Sequence, residues 1–283
     1  MPELPEIQAL AERLDDALAG SMLCDAQVLG FSSLKTVSPA PDECRGRILS
    51  SVTRRGKYVV LRFEGDLRIV LHLSQAGRVD LEVPPKATKP RGSVARLGFG
   101  GSSNGRALLV REFGTQRKAA WWVIGEDDLG PLAGLGPEAG SPEFAGIVRA
   151  STSSRRLHTE LRDQRVVSGI GRGWGDDIVH RARLSPFATM GSLDAGARER
   201  LIEATATVLE EALERERERT GGLSQSSLAG RFAVHGRAGE PCPTPCDDTL
   251  RRVSFDSHEM TYCPTCQTGG RVLADRRLSR LIK

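Results

Sequence analysis

The chain opens with Met1-Pro2-Glu3-Leu4-Pro5-Glu6, and this stretch predicts the first helix of the fold and a reactive terminus. Pro5 suits the first turn of a helix, because its ring presets φ and it has no N–H group to leave unpaired. Apolar residues then recur at helical spacing, at Ile7, Leu10, Leu14 and Leu18. We expect this helix to stop at Gly20.

Removal of Met1 would leave Pro2 with a free secondary amine. The pKa of an α-amino group is about 7.7–8, so a usable fraction is neutral and nucleophilic near pH 7. Glu3 places a carboxyl group beside this amine, and the positive end of the following helix disfavours the ammonium form. A Met-Pro start without any chemistry is also common, so these residues alone leave both interpretations open.

Composition indicates a globular protein of about two domains, with 283 residues and a hydrophobic fraction of 39%. The formal net charge of +4 permits a polyanionic partner without requiring one. No apolar run approaches the roughly 20 residues that span a bilayer, and the N-terminus has no signal-peptide pattern. We therefore expect a cytoplasmic protein without a membrane partner, in which clustered cysteines indicate metal ligands before disulfides.

Many short β-rich runs separated by turns lie between Met22 and Gly125, a pattern typical of a β-sandwich or barrel. The predicted strands are 47–53, 57–63, 67–73, 94–99, 107–113 and 119–124. Residues 125–142 are rich in glycine, proline and acidic side chains, which indicates a link between domains.

Helical patterns dominate after this link. Ser141 and Pro142 predict a capped helix start, Ser154 is a candidate cap for a helix through Arg162, and residues 192–219 carry a long helical pattern. We expect a strand at 231–235. The resulting division is 1–125, 126–236 and 237–283.

Four cysteines near the C-terminus form two pairs, with sixteen residues between the pairs. Two such pairs are the pattern of a zinc ribbon, in which four thiolates close a tetrahedral site around one structural Zn²⁺. The predicted ligands are Cys242, Cys246, Cys263 and Cys266.

Two further motifs are informative only in combination with others. Lys57 follows Arg55 and Gly56 at a predicted strand turn, where a lysine can project into a groove or simply lie on the surface. Gly169 and Gly171 precede a predicted helix, where glycines allow a phosphate close to the helix N-terminus or only make a turn.

Taken in order, these motifs resemble the formamidopyrimidine-DNA glycosylase and endonuclease VIII family over nearly the whole chain. The resemblance implies an α+β multidomain fold: an N-terminal β-sandwich with an N-terminal helix, a helical helix–two-turns–helix domain and a C-terminal zinc-ribbon finger. It also implies base excision repair, in which damaged, mainly oxidised, bases are excised and the abasic site is nicked. The implied partner is double-stranded DNA containing damaged bases or abasic sites, bound by a monomer in a bacterial, nucleoid-associated setting.

The resemblance assigns catalytic roles to the start of the first helix and to the lysine turn. Pro2 corresponds to the nucleophile that forms a Schiff base at C1′, and Glu3 to the acid or base that helps to open the sugar ring. Lys57 corresponds to a lysine that contacts phosphate beside the lesion, and Glu6 to a supporting carboxylate.

The resemblance also assigns DNA contacts, in two loops, a turn and the finger. The extruded base leaves a gap that side chains must fill. The corresponding residues are Gln75, Arg111, Phe113, Gly171, Arg172 and His258.

Several positions depart from the family pattern. Gln75 stands at a usual methionine, and Glu112 at a usual arginine. Arg172 stands at a usual asparagine, and His258 at a usual arginine. The departures at Gln75, Arg172 and His258 motivate an alternative, a damaged-DNA-binding protein of the same fold that has lost base excision. A third hypothesis, a zinc-ribbon protein that acts on RNA or other proteins, leaves Pro2 and Glu3 unexplained.

Overall fold

The computed structural model describes residues 1–100, 105–114, 116–223, 230–255 and 258–274. The chain folds into two compact units. The first contains Met1–Gly134 and Leu213–Ser227, and the second contains Leu135–Ala212 and Leu228–Lys283. The three-part division at 125 and 236 stays a prediction.

The described part of the first unit begins with helix α1 (Leu4–Leu18) and continues with eight strands. These are β1 (Leu23–Val28), β2 (Leu49–Arg55), β3 (Tyr58–Phe63), β4 (Leu67–His72), β5 (Gly77–Glu82), β6 (Ser93–Phe99), β7 (Arg106–Glu112) and β8 (Ala120–Gly125). Six of these strands begin and end within two residues of the predicted strand boundaries. The sequence pattern did not single out β1 and β5.

The strands form two antiparallel sheets, with the orders β1-β6-β7-β5 and β2-β3-β4-β8. Side chains from both sheets and from α1 share one apolar core, in which Trp121 is completely buried. The predicted β-sandwich with an N-terminal helix is therefore confirmed. Burial of this shared face is the main stabilising contribution to the unit.

Helix α1 forms where the spacing of apolar residues predicts it. Leu10, Leu14 and Leu18 are buried, and Pro5 lies in the first turn. The carboxylate of Asp15 accepts the Val52 N–H at 2.6 Å, which fixes the helix against β2. The helix ends before Gly20, whose φ of +78° favours glycine.

The second unit is mainly helical in its described residues. Its elements are α2 (Pro142–Ala150), α3 (Leu157–Arg162), α4 (Arg172–Arg181), α5 (Ala195–Glu218), β9 (Arg251–Phe255), β10 (His258–Tyr262) and α6 (Pro264–Thr268). Residues of α5 from Leu213 onward count with the first unit. Strands β9 and β10 form an antiparallel hairpin. None of the helices that the structure describes combines the length and the apolar character needed to cross a membrane.

One predicted cap is confirmed and the other is wrong. The Ser141 hydroxyl accepts the Phe144 N–H at 3.2 Å at the start of α2. Ser154 does not cap α3, which begins after Arg156. The chain is still extended at this point, because Arg156 forms a bridge with Thr189, and so the helix starts two residues later than a Ser154 cap requires.

The predicted strand at 231–235 is also wrong. The N–H groups of Ala233, Val234 and His235 all donate to the Asp177 carboxylate, at 2.6, 3.0 and 3.1 Å. In a strand, such N–H groups would instead donate hydrogen bonds to the carbonyl groups of a neighbouring strand. The segment therefore folds as a turn around one buried acid of α4.

Candidate active site and metal centre

The start of α1 holds two buried carboxylates beside Pro2. Glu3 is 4% exposed and Glu6 is 7% exposed, whereas Pro2 is half-buried. The N–H of Glu3 donates to Oε2 of Glu6 at 2.6 Å. The positive end of the helix dipole stabilises carboxylates here, so both acids have a structural reason to remain buried.

Lys57 lies in the turn between β2 and β3, yet the residue is only 5% exposed. Gly56 precedes it with a φ of +56°. The guanidinium of Arg54 donates to the Gln8 side-chain oxygen and to the Gly56 carbonyl, each at 3.0 Å. The turn that carries Lys57 is therefore fixed to α1.

His72, at the end of β4, lies near this lysine. Its ring centroid is 4.9 Å from that of Tyr58, its partner in the β3–β4 register. Burial and then the Lys57 charge lower the pKa of His72 to about 4. The imidazole is consequently neutral at physiological pH, and Lys57 supplies the positive charge.

The two loops predicted to fill the gap in DNA lie side by side. Gln75 is exposed on the first loop, and Phe113 is 61% exposed on the second. The N–H of Phe113 donates to the Ala76 carbonyl at 3.1 Å. Gly77 leaves no room for a Cβ against the Leu73 carbonyl, so the first loop is tightly closed.

Arg111 forms an ion pair that was not expected from the sequence. Its Nε and Nη2 donate to Oδ2 of Asp80 at 2.8 and 2.5 Å, and its guanidinium carbon lies 4.8 Å from the Phe113 ring centroid. Arg78 is the direct partner of Arg111 in the β5–β7 register, so Asp80 is its diagonal neighbour. Only the strand register, which the sequence does not give, identifies this contact.

Glu112, which replaces a family arginine, points inward and is 5% exposed. Its carboxylate accepts the N–H groups of Lys118 and Ala119 at 3.0 and 2.9 Å. This residue closes the base of the second loop. The departure at this position is therefore structural.

In the second unit, Gln164 shapes the turn before α4. Its amide oxygen accepts the Gly169 N–H at 3.0 Å, and its nitrogen donates to the Ile170 carbonyl at 2.8 Å. Gly169 has a φ of +104°, and Gly171 is the N-cap residue of α4. Arg172 is exposed at the first helical position, where a helix N-terminus favours an anion.

Behind this turn, a buried acid links two histidines. Asp176 lies 3.0 Å from Nε2 of His158 and 2.6 Å from Nδ1 of His235, and accepts the Thr261 N–H at 3.0 Å. Burial alone would raise the pKa of Asp176, but the two histidine contacts hold it below its usual value. The contacts of Asp176 connect α3, α4 and β10. No short sequence motif predicts them, because the partners lie far apart in the chain.

Phe232 packs against the same helix. Its ring contacts Trp174 edge-on at a centroid distance of 4.8 Å. It also fills the space in which a Cβ of Gly173 would stand.

The four predicted metal ligands are brought together in the second unit. All four sulfur atoms lie within 4.8 Å of one another, with Cys242–Cys266 at 3.9 Å and Cys246–Cys263 at 3.6 Å. A tetrahedral zinc ion with Zn–S bonds of about 2.3 Å places sulfurs roughly 3.8 Å apart, so this donor set fits one such ion. The His258 side chain lies outside the described part of the chain.

Sequence comparisons identify the two parts of the chain separately. Residues 1–116 match the formamidopyrimidine-DNA glycosylase N-terminal domain, and residues 135–223 match the formamidopyrimidine-DNA glycosylase H2TH domain. An uncharacterized formamidopyrimidine-DNA glycosylase-like protein of Mycobacterium tuberculosis is 43% identical over 152 residues, which cover 53% of this chain and 94% of that protein.

A longer match extends over nearly the whole chain. The formamidopyrimidine-DNA glycosylase of Thermus thermophilus is 34% identical over 285 residues, which cover 95% of this chain and all (100%) of that protein. The solved structure of Lactococcus lactis Fpg with an abasic site containing DNA has a TM-score of 0.81 at 21% identity. The match covers 94% of this chain and 99% of that chain, and so supports the fold. From these matches, the chain belongs to the formamidopyrimidine-DNA glycosylase family.

Proposed function

We propose that this protein is a bifunctional DNA glycosylase and abasic-site lyase that acts on oxidised bases through a Schiff base on Pro2. The observation that carries the proposal is the pair of buried carboxylates, Glu3 and Glu6, beside Pro2 in a chain of this family. The fixed turn that carries Lys57 supports it further.

In the proposed reaction, the neutral amine of Pro2 attacks C1′ of the damaged nucleotide. The N-glycosidic bond breaks, and the base leaves with the proton that the amine nitrogen loses. Because the nitrogen is secondary, the resulting iminium carries its positive charge without an extra proton. The sugar ring opens as the C1′–O4′ bond breaks, and Glu3 supplies the proton that O4′ takes up.

Strand cleavage follows from the same intermediate. The iminium acidifies the C2′–H bond, and transfer of that proton to the carboxylate that Glu3 has become after the ring opening expels the 3′ phosphate by β-elimination. Water then hydrolyses the iminium and restores the Pro2 amine. Lys57 contributes a buried cation that can bind the phosphate beside the lesion.

The metal centre has a structural role in this proposal. Cys242, Cys246, Cys263 and Cys266 would hold one Zn²⁺ in a closed four-thiolate site, which would leave no position for a reacting ligand. These four residues, with the ion bound, would stabilise the β9–β10 hairpin, on which His258 is proposed to contact DNA. Arg172 and Gly171 are proposed to bind the phosphate backbone at the start of α4.

The decisive experiment is borohydride trapping on an abasic duplex, after intact mass has established that Met1 is absent. We expect a covalent protein–DNA adduct, and we expect Pro2→Gly to abolish it. Pro5→Ala is the matched control, because it changes a proline of the first helical turn and keeps the terminal amine. Failure of the mature wild-type protein to form an adduct would contradict the proposed chemistry.

The alternative is a protein that binds damaged DNA without excising bases. The departures from the family pattern at Gln75, Arg172 and His258 motivate it, because these positions are assigned to DNA contacts. It predicts tight binding to abasic duplexes with no cleavage of any base lesion. A panel of labelled duplexes with oxidised purines, oxidised pyrimidines and abasic sites distinguishes the two.

A further inference from the structure

We propose that His180 is a positioning residue of the metal centre, which donates its Nε2–H group to the sulfur of Cys242 from outside the set of ligands. This inference goes beyond the proposed function, because it concerns how the four cysteines hold their ion and does not require base excision. It assigns a role to a side chain of α4 that the cysteine pattern does not contain.

His180 lies in the last turn of α4, against the cysteine cluster. The residue is 6% exposed, and its Nε2 lies 3.3 Å from Sγ of Cys242. His180 does not belong to the donor group itself, which in the described part of the chain consists of the four cysteines. The imidazole is therefore placed to contact a ligand of the ion rather than the ion.

The chemistry of the ligand decides the direction of this hydrogen bond. A cysteine that binds Zn²⁺ does so as a thiolate, which has no proton to donate and can only accept. A neutral imidazole carries its hydrogen on one of its two nitrogens. A hydrogen on Nδ1 would set the lone pair of Nε2 against the negative sulfur, so with the metal bound we expect the hydrogen on Nε2.

The two cysteine pairs differ in the backbone donors that they offer to sulfur. In the second pair, the N–H group of Cys266 donates to the Cys263 sulfur at 3.5 Å. The equivalent position in the first pair, three residues after Cys242, is Pro245. Because proline has no N–H group, this backbone bond cannot form at Cys242.

Two more neighbours of Cys242 do not donate to its sulfur. Pro243 follows Cys242 directly and has no N–H group either. The N–H group of Cys246 donates to the Thr244 carbonyl at 2.7 Å. The His180 imidazole thus supplies from α4 the kind of hydrogen bond that the prolines remove.

A donor at this sulfur affects how firmly the ion is held. Four thiolates around Zn²⁺ give the site a net charge of about −2, and an N–H group beside one thiolate offsets part of that charge. Groups outside the ligand set orient the ligands, and their loss typically lowers metal affinity by about 10- to 100-fold. His180 therefore raises the affinity of the site for Zn²⁺.

A second contact connects the end of α4 to the cysteine cluster. The Gln267 side chain accepts the Cys263 N–H at 2.8 Å and donates to the Leu184 carbonyl, just after α4, at 2.8 Å. This connection does not involve His180. We therefore expect a substitution of His180 to act on the metal centre while the packing beside α4 is kept.

The test compares zinc-loaded full-length proteins by competition with a chelator. His180→Leu keeps a side chain of similar size and removes the N–H group, so its zinc affinity should fall by about 10- to 100-fold. His180→Gln keeps an N–H donor at the end of the side chain and should recover most of this loss. Arg181→Gln, the matched control, changes an exposed neighbour on α4 and should leave the affinity unchanged.

Spectroscopy distinguishes this contact from a role in packing alone. In the Co²⁺-substituted wild-type protein, we expect the charge-transfer absorption of four thiolates. His180→Leu should shift this absorption to longer wavelength, because a sulfur without the hydrogen bond gives up electron density more readily, and His180→Gln should not. In the zinc-loaded wild-type protein, NMR with isotopically labelled histidine should find the His180 hydrogen on Nε2.

An unshifted absorption in Co²⁺-substituted His180→Leu would overturn the inference, whatever its zinc affinity. A hydrogen on Nδ1 in the zinc-loaded wild-type protein would also overturn it, and that measurement needs no variant to fold. Wild-type absorption typical of only three thiolates would make His180 a ligand and would equally contradict the proposal. Failure to cleave any DNA lesion would contradict only the proposed function.

Discussion

Two ionisable residues near the start of α1 lie where solvent barely reaches. Glu3 and Lys57 are 4% and 5% exposed. Burial of a charge costs free energy unless partners compensate it. Even a compensated buried ion pair often contributes no more stability than two apolar side chains of similar volume in its place. In the proposed reaction, both groups would act at a place that is largely shielded from water.

His72 gives a prediction at this scale, because its pKa is lowered to about 4 in the folded protein from an ordinary value of 6.5. Between these values the unfolded chain binds a proton that the folded chain does not, so acidification from pH 6.5 towards 4 destabilises the fold. We expect this loss to be about 1–3 kcal/mol smaller in His72→Gln. Urea unfolding of both proteins at pH 7 and pH 5 measures it, and equal losses would contradict the assignment.

Hydrogen-bonded chains of side chains position whole elements. Arg217 binds Glu12 of α1 through two contacts at 2.8 and 2.7 Å, and Gln8 donates to Glu12 at 2.9 Å. Gln8 in turn accepts from Arg54, which holds the Gly56 carbonyl. The turn with Lys57 is thus connected, through α1, to the last residues of α5.

Arg217→Gln should therefore slow adduct formation on abasic DNA by about tenfold, because small displacements of positioned groups are costly in rate. Its affinity for the duplex and its free energy of unfolding should change little, since Arg217 is half-exposed. Single-turnover trapping and equilibrium binding separate the two effects. Exchanging the charges of Glu12 and Arg217 should recover part of the rate; an unaltered rate in Arg217→Gln would refute this role.

At the same scale, Asp177 replaces a strand partner for the 233–235 segment. Asp177→Ala should accelerate hydrogen exchange at the Ala233, Val234 and His235 amides by at least about tenfold, because charge-assisted bonds are lost. Asp194→Ala removes a single cap bond from α5 in the same unit and should leave those amides unchanged. Slow exchange in Asp177→Ala would show that other contacts hold the segment.

For the whole molecule, we expect a chelator to affect the two units differently, because the four cysteines of the metal centre all lie in the second unit. Removal of the ion would leave the four cysteines close together with no shared ligand to connect them. The β9–β10 hairpin should therefore lose hydrogen-exchange protection, whereas the β-sandwich should keep it. Metal analysis should find one Zn²⁺ per chain, which Cys246→Ser should lower and Cys24→Ser should not. Loss of protection throughout the first unit would contradict this division.

The features predicted from the sequence are those that depend on short-range patterns. Helix α1, six strands, the Ser141 cap and the four cysteines each follow from spacing or local backbone preference. Contacts such as Asp80–Arg111 depend on strand register, and Asp176 joins residues far apart in the chain. The strand prediction at 231–235 was wrong for the same reason, since a distant acid takes its N–H groups.

The packing of Phe232 onto Gly173 has a consequence for the evolution of this family. The Phe232 ring occupies the volume that a side chain at position 173 of α4 would need, so the summed volume of the two side chains is limited. Relatives with a bulkier residue at the helical site should carry a smaller one at the aromatic site. Pairwise covariation in an alignment of homologues should reveal this exchange, and independent variation would rule it out.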